Sequence, residues 1–366
     1  MAFLSEPAFK HGQLPQLGIL LINLGTPEAP TAPAVRKYLK EFLWDPRVVE
    51  IPRALWWMIL HGVILRTRPK ESALKYAKIW TKDGSPLKFH TERQVSLIRG
   101  SLGATIRSVQ VGYGMRYGTP SIEDGLVKLK QAGCTRILAL PLYPQYAAST
   151  TASAFDGLSA GLAKMRHQPE LRWVKHFHDH PAYIEAVAKS VQDYWVANGR
   201  PTKLLMSFHG LPKFSLERGD PYHCECQKTG RLIAEAIGLK PENYLVTFQS
   251  RFGKAEWLKP YTIETMRKLG KDKIRRLDVI CPGFVSDCLE TLEEIAIENK
   301  AAFLQAGGGE FHYIPCLNER PQWIQALSQI AWENLLGWLP TETDQTALKT
   351  AADASKARAL AMGAKQ

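Results

Sequence analysis

The stretch Lys203–Pro212, KLLMSFHGLP, is a short apolar run that ends in a histidine and a Gly-Leu-Pro turn. An apolar run of roughly 4–8 residues bounded by turn signals is typical of a strand buried on both faces. Runs of the same character recur along the chain, and together with Lys203–Phe208 they predict eight buried strands. The others are Leu17–Asn23, Ser108–Met115, Thr135–Leu142, Leu171–Phe177, Tyr244–Gln249, Arg276–Cys281 and Phe311–Ile314.

Stretches with helical spacing lie between most of these runs, at Ser121–Ala132, Ala182–Ala197, Arg231–Ile237 and Cys288–Asn299. Strands that alternate with helices predict parallel sheets covered on both faces, with functional groups at the carboxyl ends of the strands. We therefore expect an α/β protein of two similar doubly wound, Rossmann-like domains. The expected parts are a first domain over 15–175, a second over 176–315, a helix within 316–340 that returns to the first domain, and a flexible or weakly helical tail over 341–366.

The charge of the chain restricts its partners. Its 366 residues include 47 Lys and Arg against 35 Asp and Glu, a net charge of +12. Between Arg36 and Lys88 there are twelve basic residues and five acidic ones, so the first domain should attract anions or an acidic membrane surface. No nucleic-acid-binding motif accompanies this basic field, and we expect no nucleic acid partner.

Cysteine use and hydropathy indicate the compartment. Six cysteines in a chain of this length do not predict a disulfide framework, and no basic start followed by a long apolar run precedes them. We therefore expect reduced thiols and a cytoplasmic location. The longest nearly apolar run, Ala54–Leu65, has twelve residues, whereas a membrane-spanning helix needs about twenty.

The chemistry-bearing residues are concentrated at two predicted strand ends of the second domain. His209 follows one strand, and a neutral imidazole there can accept a proton or bind a borderline metal ion. Asp287, Glu290 and Glu294 follow another at spacings i, i+3 and i+7, which would put three carboxylates on one face of a helix. A hydrogen-bonded turn histidine and a solvated acidic helix face are the simpler interpretations of each feature alone. Together the two features favour a transition-metal site.

An apolar and basic lip is predicted in the first domain. The run Leu55–Leu60, LWWMIL, precedes Arg66 and Arg68, and two adjacent tryptophans on one helix cannot both be buried. We expect Trp56, Trp57 and Leu60 to form part of a ligand mouth or a membrane contact. The pair Cys224 and Cys226 is a weaker metal signal, because no second pair lies at zinc-finger spacing.

Several of these motifs resemble those of the ferrochelatase family over roughly residues 17–338. They are LLINLGTP near the start, GSP at 84–86, PLYPQYAASTTAS at 141–153, LLMSFHGLPKFSLERGDPY around His209 and CPGFVSDCLETLEEI around Glu290. The chain departs from many members at Cys288, where those members have a second histidine.

The resemblance implies an enzyme that inserts Fe²⁺ into protoporphyrin IX to form protohaem, with the porphyrin cleft between the two domains. It assigns His209 and Glu290 to iron binding and proton removal, with Glu294 and Asp287 behind them as an acidic relay. By the resemblance, Leu24, Arg116 and Tyr117 would line the porphyrin pocket. From the apolar and basic run itself, we expect Trp57 to lie at the mouth of that pocket and the protein to contact the inner face of the membrane peripherally.

Iron is a substrate in this interpretation, and we expect no permanently bound cofactor. Some members bind an iron–sulfur cluster through C-terminal cysteines, but this chain has no cysteine after Cys316, so we expect no cluster. Two rival hypotheses remain open from the sequence. One is a haem or metal carrier of the same fold, and the other is a chelatase that inserts cobalt or nickel into a different tetrapyrrole.

Overall fold

The computed structural model of the protein describes residues 3–103, 106, 109–253, 255–339 and 345–365. Its strands are β1 (Gln16–Gly25), β2 (Val109–Tyr117), β3 (Cys134–Pro141), β4 (Glu170–Trp173), β5 (Lys203–His209), β6 (Tyr244–Gln249), β7 (Arg276–Ile280) and β8 (Glu310–Tyr313). They form two four-stranded parallel sheets in the orders β2-β1-β3-β4 and β6-β5-β7-β8. The two orders are equivalent, with the first strand of each half in second place, so the predicted α/β class with two similar parallel sheets is confirmed.

Helices cover both sheets. They are α1 (Ala32–Trp44), α2 (Arg53–Ile59), α3 (Leu65–Ile79), α4 (Pro86–Gly103), α5 (Ile122–Gln131), α6 (Ser153–Leu162), α7 (Pro181–Asn198), α8 (Lys213–Glu217), α9 (Tyr222–Ile237), α10 (Thr262–Lys271), α11 (Lys300–Gln305), α12 (Pro321–Leu335) and α13 (Gln345–Ala361). The described residues also include π-helical segments at Leu60–Ile64, Ala148–Ala152 and Glu290–Asn299, each directly followed by an α-helix. Across the described ranges, none of the helices has the length and apolar character that a membrane crossing requires.

The observed elements follow the predicted ones with a few instructive differences. Strand β4 stops at Trp173, because the chain then turns and the amide of Phe177 bonds the carbonyl of Pro144 instead of a strand partner. Ser108, the predicted start of β2, lies outside the described residues. The tail contains α13, whose residues Ala352 and Lys356 lie against Gly12.

The faces of the central strands show where the core lies. In β1, Ile19 and Leu21 point into the largest apolar cluster, whereas Leu20 and Ile22 point into a smaller one on the other side of the sheet. In β5, the alternate residues Leu204, Met206 and Phe208 enter that same largest cluster. One core is therefore shared by one face of each sheet, and helices α7 and α12 contribute to it.

Helix α12, which follows the last strand of the second sheet, joins the two halves. It packs against α7 and also against α4 and β3 of the first half. Its Trp323 is fully buried beside Phe177 and Tyr183. The exact domain boundaries proposed from the sequence remain a prediction, because the shared core crosses them.

Close packing at the end of β1 needs a glycine. Gly25 has a φ of +107°, and a Cβ atom there would lie 1.7 Å from the carbonyl oxygen of Tyr117 on β2. L-residues rarely adopt this conformation, and no side chain fits against that carbonyl. Gly25 therefore lets the carboxyl ends of β1 and β2 approach each other, which positions Leu24 and Tyr117 at the sheet edge.

Candidate active site

His209 is the last residue of β5, and its orientation is set by the main chain. The imidazole Nδ1 lies 2.7 Å from the carbonyl oxygen of Gly210. A carbonyl only accepts, so Nδ1 carries a proton, and in the neutral ring Nε2 is the nitrogen with the lone pair. The rings of Trp257 and Phe284 flank the imidazole, each with its centroid at 6.5 Å. His209 thus presents a half-buried Nε2 that, in the neutral ring, can accept a proton or bind a metal ion.

Glu294 is held by hydrogen bonds from the end of β6, close enough to His209 for the charge of that residue to affect its pKa. Its carboxylate accepts the backbone N–H of Ser250 at 2.7 Å, the hydroxyl of Ser250 and the amide of Gln249 at 3.2 Å. Burial raises the pKa of Glu294, the Ser250 bonds and the nearby His209 lower it, and the charge of Glu290 raises it again. The net effect is a pKa above the usual value, so this carboxylate takes up a proton more readily than an exposed glutamate does.

Glu290 begins the π-helix and faces the first half. Its backbone carbonyl accepts a bond from Gln249 Nε2 at 2.9 Å. Burial first, and then the charge of Glu290, raise the pKa of the Tyr76 phenol and of the Cys288 thiol. The Glu290 carboxylate therefore lies at the junction between the two halves, beside helix α3.

A third acid of the same π-helix, Glu293, has a structural partner. Its side chain is 1% exposed and forms ion pairs with Lys78 at 2.9 Å and Lys75 at 3.2 Å. These bonds attach the π-helix of the second half to α3 of the first. Sequence reasoning passed over Glu293, although two lysines at i, i+3 on a helix were a visible signal.

The predicted α-helical stripe of three carboxylates is not what the structure contains. Residues 290–299 form a π-helix, with i→i+5 hydrogen bonds, and Asp287 precedes it. Both oxygens of Asp287 are engaged, by Thr291 Oγ1 at 3.0 Å, the Tyr313 hydroxyl and Asn318 Nδ2 at 2.7 Å. Asp287 is thus tied to the start of the helix, whereas Glu290 and Glu294 face the site.

The residues predicted in the first half lie at the carboxyl end of β1 and β2. Leu24 is half-buried. Arg116 donates to Asp45 at 2.6 Å and to Ser153 at 2.7 Å, and the buried Tyr117 hydroxyl donates to the same Asp45 oxygen at 2.8 Å. Sequence reasoning missed Asp45 and Ser153, which are far from Arg116 in the chain.

The buried acid Asp45 is ionised despite its surroundings. Burial raises its pKa, but hydrogen bonds from Ser153, the backbone of Arg47 and Tyr117, with the charge of Arg116, lower it by more. The guanidinium of Arg116 is thereby neutralised within the protein. Arg116 and Tyr117 both contact Asp45 at this sheet edge, with Arg116 Nε and Nη2 and the Tyr117 hydroxyl engaged in one network.

The predicted apolar lip is present as an exposed surface at Trp57 and Met58, but it includes fewer residues than expected. Trp57 is 54% exposed and Met58 57% exposed. Trp56 and Leu60 are buried, and Trp56 Nε1 donates to the carbonyl of Leu43 at 2.7 Å. The expectation that Trp56 and Leu60 belong to the mouth is wrong. One face of α2 and of the π-helical turn after it packs on a small separate core, and the other face reaches solvent.

Cys224 and Cys226 do not converge on a common point. Cys224 is exposed, whereas Cys226 is buried in the shared core. The residue between them, Glu225, is turned instead towards the loop that follows β4.

Two parallel sheets with an imidazole and carboxylates at adjoining strand ends define a two-domain α/β protein with a site suited to a transition metal. The structure of SirB from Bacillus subtilis with Fe³⁺ has this fold, with a TM-score of 0.51, 14% identity, and coverage of 88% of this chain and 97% of that one. A ferrochelatase family model matches residues 16–335. The ferrochelatase of Chromobacterium violaceum is 58% identical over 95% of this chain and 96% of its own length. That of Aromatoleum aromaticum is 61% identical over 96% of this chain and 97% of its own length.

The chain belongs to the ferrochelatase family. It is accordingly an enzyme, a metal chelatase that inserts iron in the formation of protohaem.

Proposed function

We propose that the chain inserts Fe²⁺ into protoporphyrin IX through His209 and Glu290, with Glu294 as the next proton acceptor. The observation that carries this assignment is the bond from His209 Nδ1 to the Gly210 carbonyl. It leaves Nε2 as the free lone pair at the carboxyl end of β5, where the porphyrin centre would meet it. A macrocycle must lose two pyrrole protons as the metal enters, and a fixed neutral imidazole is suited to accept them.

The neighbouring carboxylate supports a route for those protons. Glu294 is close enough to His209 for the imidazole charge to affect its pKa. A proton delivered to His209 can pass to Glu294, whose raised pKa favours protonation, and His209 then regains its lone pair. Ser250 and Gln249 hold the carboxylate in place for that transfer.

Glu290 is suited to receive the iron. Within the described part of the chain, no lysine or arginine forms an ion pair with it, whereas the adjacent Glu293 is neutralised by Lys75 and Lys78. An acid without a cationic partner, close enough for its charge to raise the pKa of Glu294, is available to bind a divalent transition metal. Glu290 would bind iron as it enters, and His209 would act at the ring centre.

The lip supports a proposal about porphyrin grip and the membrane. Trp57, Met58 and Val63 expose apolar surface, and the exposed side chains of Arg66 and Arg68 follow on the next turns. An apolar patch rimmed by cations fits the rim of a flat ring with acidic side groups, and also an anionic lipid surface. We propose that this lip grips the porphyrin edge and contacts the membrane peripherally.

No resident cofactor is part of this proposal, and iron enters only as a substrate. Burial raises the pKa of Cys226, Cys281, Cys288 and Cys316, which disfavours the thiolates that an iron–sulfur cluster needs. We therefore propose that the purified protein holds no cluster. Acid-labile sulfide in a stoichiometric ratio to iron would contradict this.

Insertion of Fe²⁺ or Zn²⁺ into free porphyrin, followed by absorbance, tests the assignment and separates an enzyme from a carrier. His209→Ala should lower the insertion rate by at least about 10²-fold, because the general base is lost, while porphyrin still binds. Glu290→Gln should be nearly as damaging, and Glu294→Gln milder, since water can replace part of a relay. A His209→Ala protein that keeps most of its turnover, or a Glu294 variant worse than the His209 variant, would overturn the roles.

Trp57→Ser tests the lip. The apparent KM for porphyrin should rise several-fold while that for the metal changes little, and binding to anionic vesicles should weaken. Leu74→Ser is a matched control, because Leu74 is 70% exposed on α3. Equal effects on both KM values would show that Trp57 does not grip the ring.

A further inference from the structure

A second group of metal-ligand side chains lies away from the His209 site. The loop after β4 carries His176 and His178, and Glu225 lies on the first turn of α9. One potential ligand atom from each of these three residues lies within 4.8 Å of the others. The group is at the carboxyl edge of the first sheet, whereas His209 ends a strand of the second.

Contacts within the group converge on one carboxylate. His176 Nδ1 lies 2.7 Å from Glu225 Oε1, and His178 Nδ1 lies 3.4 Å from Glu225 Oε2. The backbone N–H of Tyr146 donates to Oε2 at 2.7 Å and holds the carboxylate in place. The two imidazole centroids are 4.8 Å apart. Each of the two imidazoles therefore directs its Nδ1 at the carboxylate of Glu225.

Because these side chains are buried, the group destabilises the fold unless a further ligand satisfies its polar atoms. His178 is 5% exposed and Glu225 7% exposed. His178 Nδ1 has no hydrogen-bond partner among the described residues. A buried polar atom in that state destabilises the folded protein unless a ligand satisfies it. The nearby cation Lys228 bonds Asp179 instead of Glu225, so no lysine or arginine of the described residues pairs with the buried acid.

We propose that His176, His178 and Glu225 bind a divalent transition metal of the Zn²⁺ and Co²⁺ type. Two imidazoles and one carboxylate suit such an ion, whereas Mg²⁺ and Ca²⁺ prefer oxygen ligands alone. The metal would take the place of the ring proton between His176 and Glu225 and would satisfy the unpartnered Nδ1 of His178. His176 is the most exposed of the three, with 38% of its side chain accessible, and leaves a side open for water.

The bound metal would connect the two halves of the molecule. It would link the loop after β4, which belongs to the first sheet, to helix α9, which covers the second. Hydrogen bonds already cross the same junction, from Thr229 Oγ1 to the His178 carbonyl at 2.7 Å and from Gln145 Nε2 to Thr229 Oγ1 at 3.0 Å. The metal therefore stabilises a junction that is already formed, and its binding should raise the melting temperature.

Co²⁺ binding to the full chain tests this site. Since Co²⁺ can also occupy the substrate site, to which His209 and Glu290 are both assigned, the measurement uses the double variant His209→Ala, Glu290→Gln throughout. We expect one Co²⁺ per chain, with visible d–d absorption, and a melting temperature that rises with Co²⁺ concentration. Adding His176→Ala should weaken Co²⁺ binding by at least about 100-fold, more than the loss of an outer partner usually costs.

Two further variants make the result specific. Glu225→Gln keeps the size of the side chain but loses the charge, and it should also abolish the d–d band. His312→Ala removes a half-buried histidine on β8, in the second sheet, that contacts the Tyr194 hydroxyl. This variant should leave Co²⁺ binding unchanged. Circular dichroism of each metal-free variant checks folding. The proposal is overturned if the double variant His209→Ala, Glu290→Gln binds no Co²⁺, or if its Co²⁺ binding survives both His176→Ala and Glu225→Gln.

Discussion

At the scale of single residues, the surrounding structure sets the tautomer of His209 and the pKa of Glu294. A backbone carbonyl holds the proton of His209 on Nδ1, so the tautomer does not depend on another side chain. Glu294 has its affinity for a proton changed by burial, by Ser250 and by His209 itself. The tautomer of His209 is therefore fixed, whereas the pKa of Glu294 is shifted. A proton accepted by His209 can then pass to the carboxylate of Glu294.

The raised pKa of Glu294 predicts a pH-dependent stability. The folded state binds this proton more tightly than the unfolded state, whose pKa is near 4.5. The free energy of unfolding is therefore reduced as pH rises from 4.5 through the higher folded pKa, and above that pKa the whole penalty of the buried charge is present. Glu294→Gln removes the titration, so the melting temperature of the variant relative to wild type should increase from pH 4 to pH 7.

Melting curves at the two pH values check this prediction, with Glu264→Gln as the control because Glu264 is exposed. The control should show the same small difference from wild type at both pH values. If the difference in melting temperature between Glu294→Gln and wild type were the same at both pH values, burial would not destabilise the Glu294 carboxylate. A Glu294 variant whose relative stability falls as pH rises would reverse the sign and contradict the assignment.

At the scale of elements, the π-helix Glu290–Asn299 separates three acids into three environments. Glu290 faces the first half, Glu293 forms its ion pairs with α3, and Glu294 turns towards His209. Spacing along the chain could show that these residues share a helix. It could not distinguish α from π geometry, because that choice depends on the partners that the helix meets in three dimensions.

The end of β1 supplies a prediction about an element. Gly25→Ala combines a strained φ with a clash against the Tyr117 carbonyl, so the ends of β1 and β2 must separate. Gly84→Ala is the control, since Gly84 also has a positive φ, +96°, but a Cβ there meets open space. Strain alone costs on the order of 1–3 kcal/mol. The free energy of unfolding should therefore fall clearly more for Gly25→Ala than for Gly84→Ala, and equal losses would show that the clash relaxes.

Sequence patterns predicted the strands well because strands buried on both faces are continuous apolar runs. They also located His209, since a Gly-Leu-Pro turn after such a run marks a strand end. They failed for Trp56 and Leu60, because an apolar run does not show which face of a helix meets its own core. They also missed His176 and His178, although the H-x-H spacing after a strand was visible, because their partner Glu225 is brought near only by folding.

At the scale of the whole molecule, the two sheets are similar but not independent. Alternate residues of β1 and β5 enter one apolar cluster, and α12 contributes to it from the C-terminal end of the fold. Polar bonds reinforce the junction, including Gln94 Nε2 to Ser286 Oγ at 3.0 Å. Separating the halves would expose a large apolar surface on each, so they should unfold as one unit.

Trp323→Ala tests whether the two halves unfold together. Trp323 is fully buried between Phe177, which follows the last strand of the first sheet, and Tyr183 on α7. Its loss should cost about 3–5 kcal/mol. Hydrogen exchange of the β2 and β6 amides, one strand from each sheet, should show that both are destabilised by the same amount in a single transition. Trp57→Ser, an exposed tryptophan, should change neither. If β6 kept its wild-type protection while β2 lost it, the shared core would not couple the sheets, and each half would be a folding unit of its own.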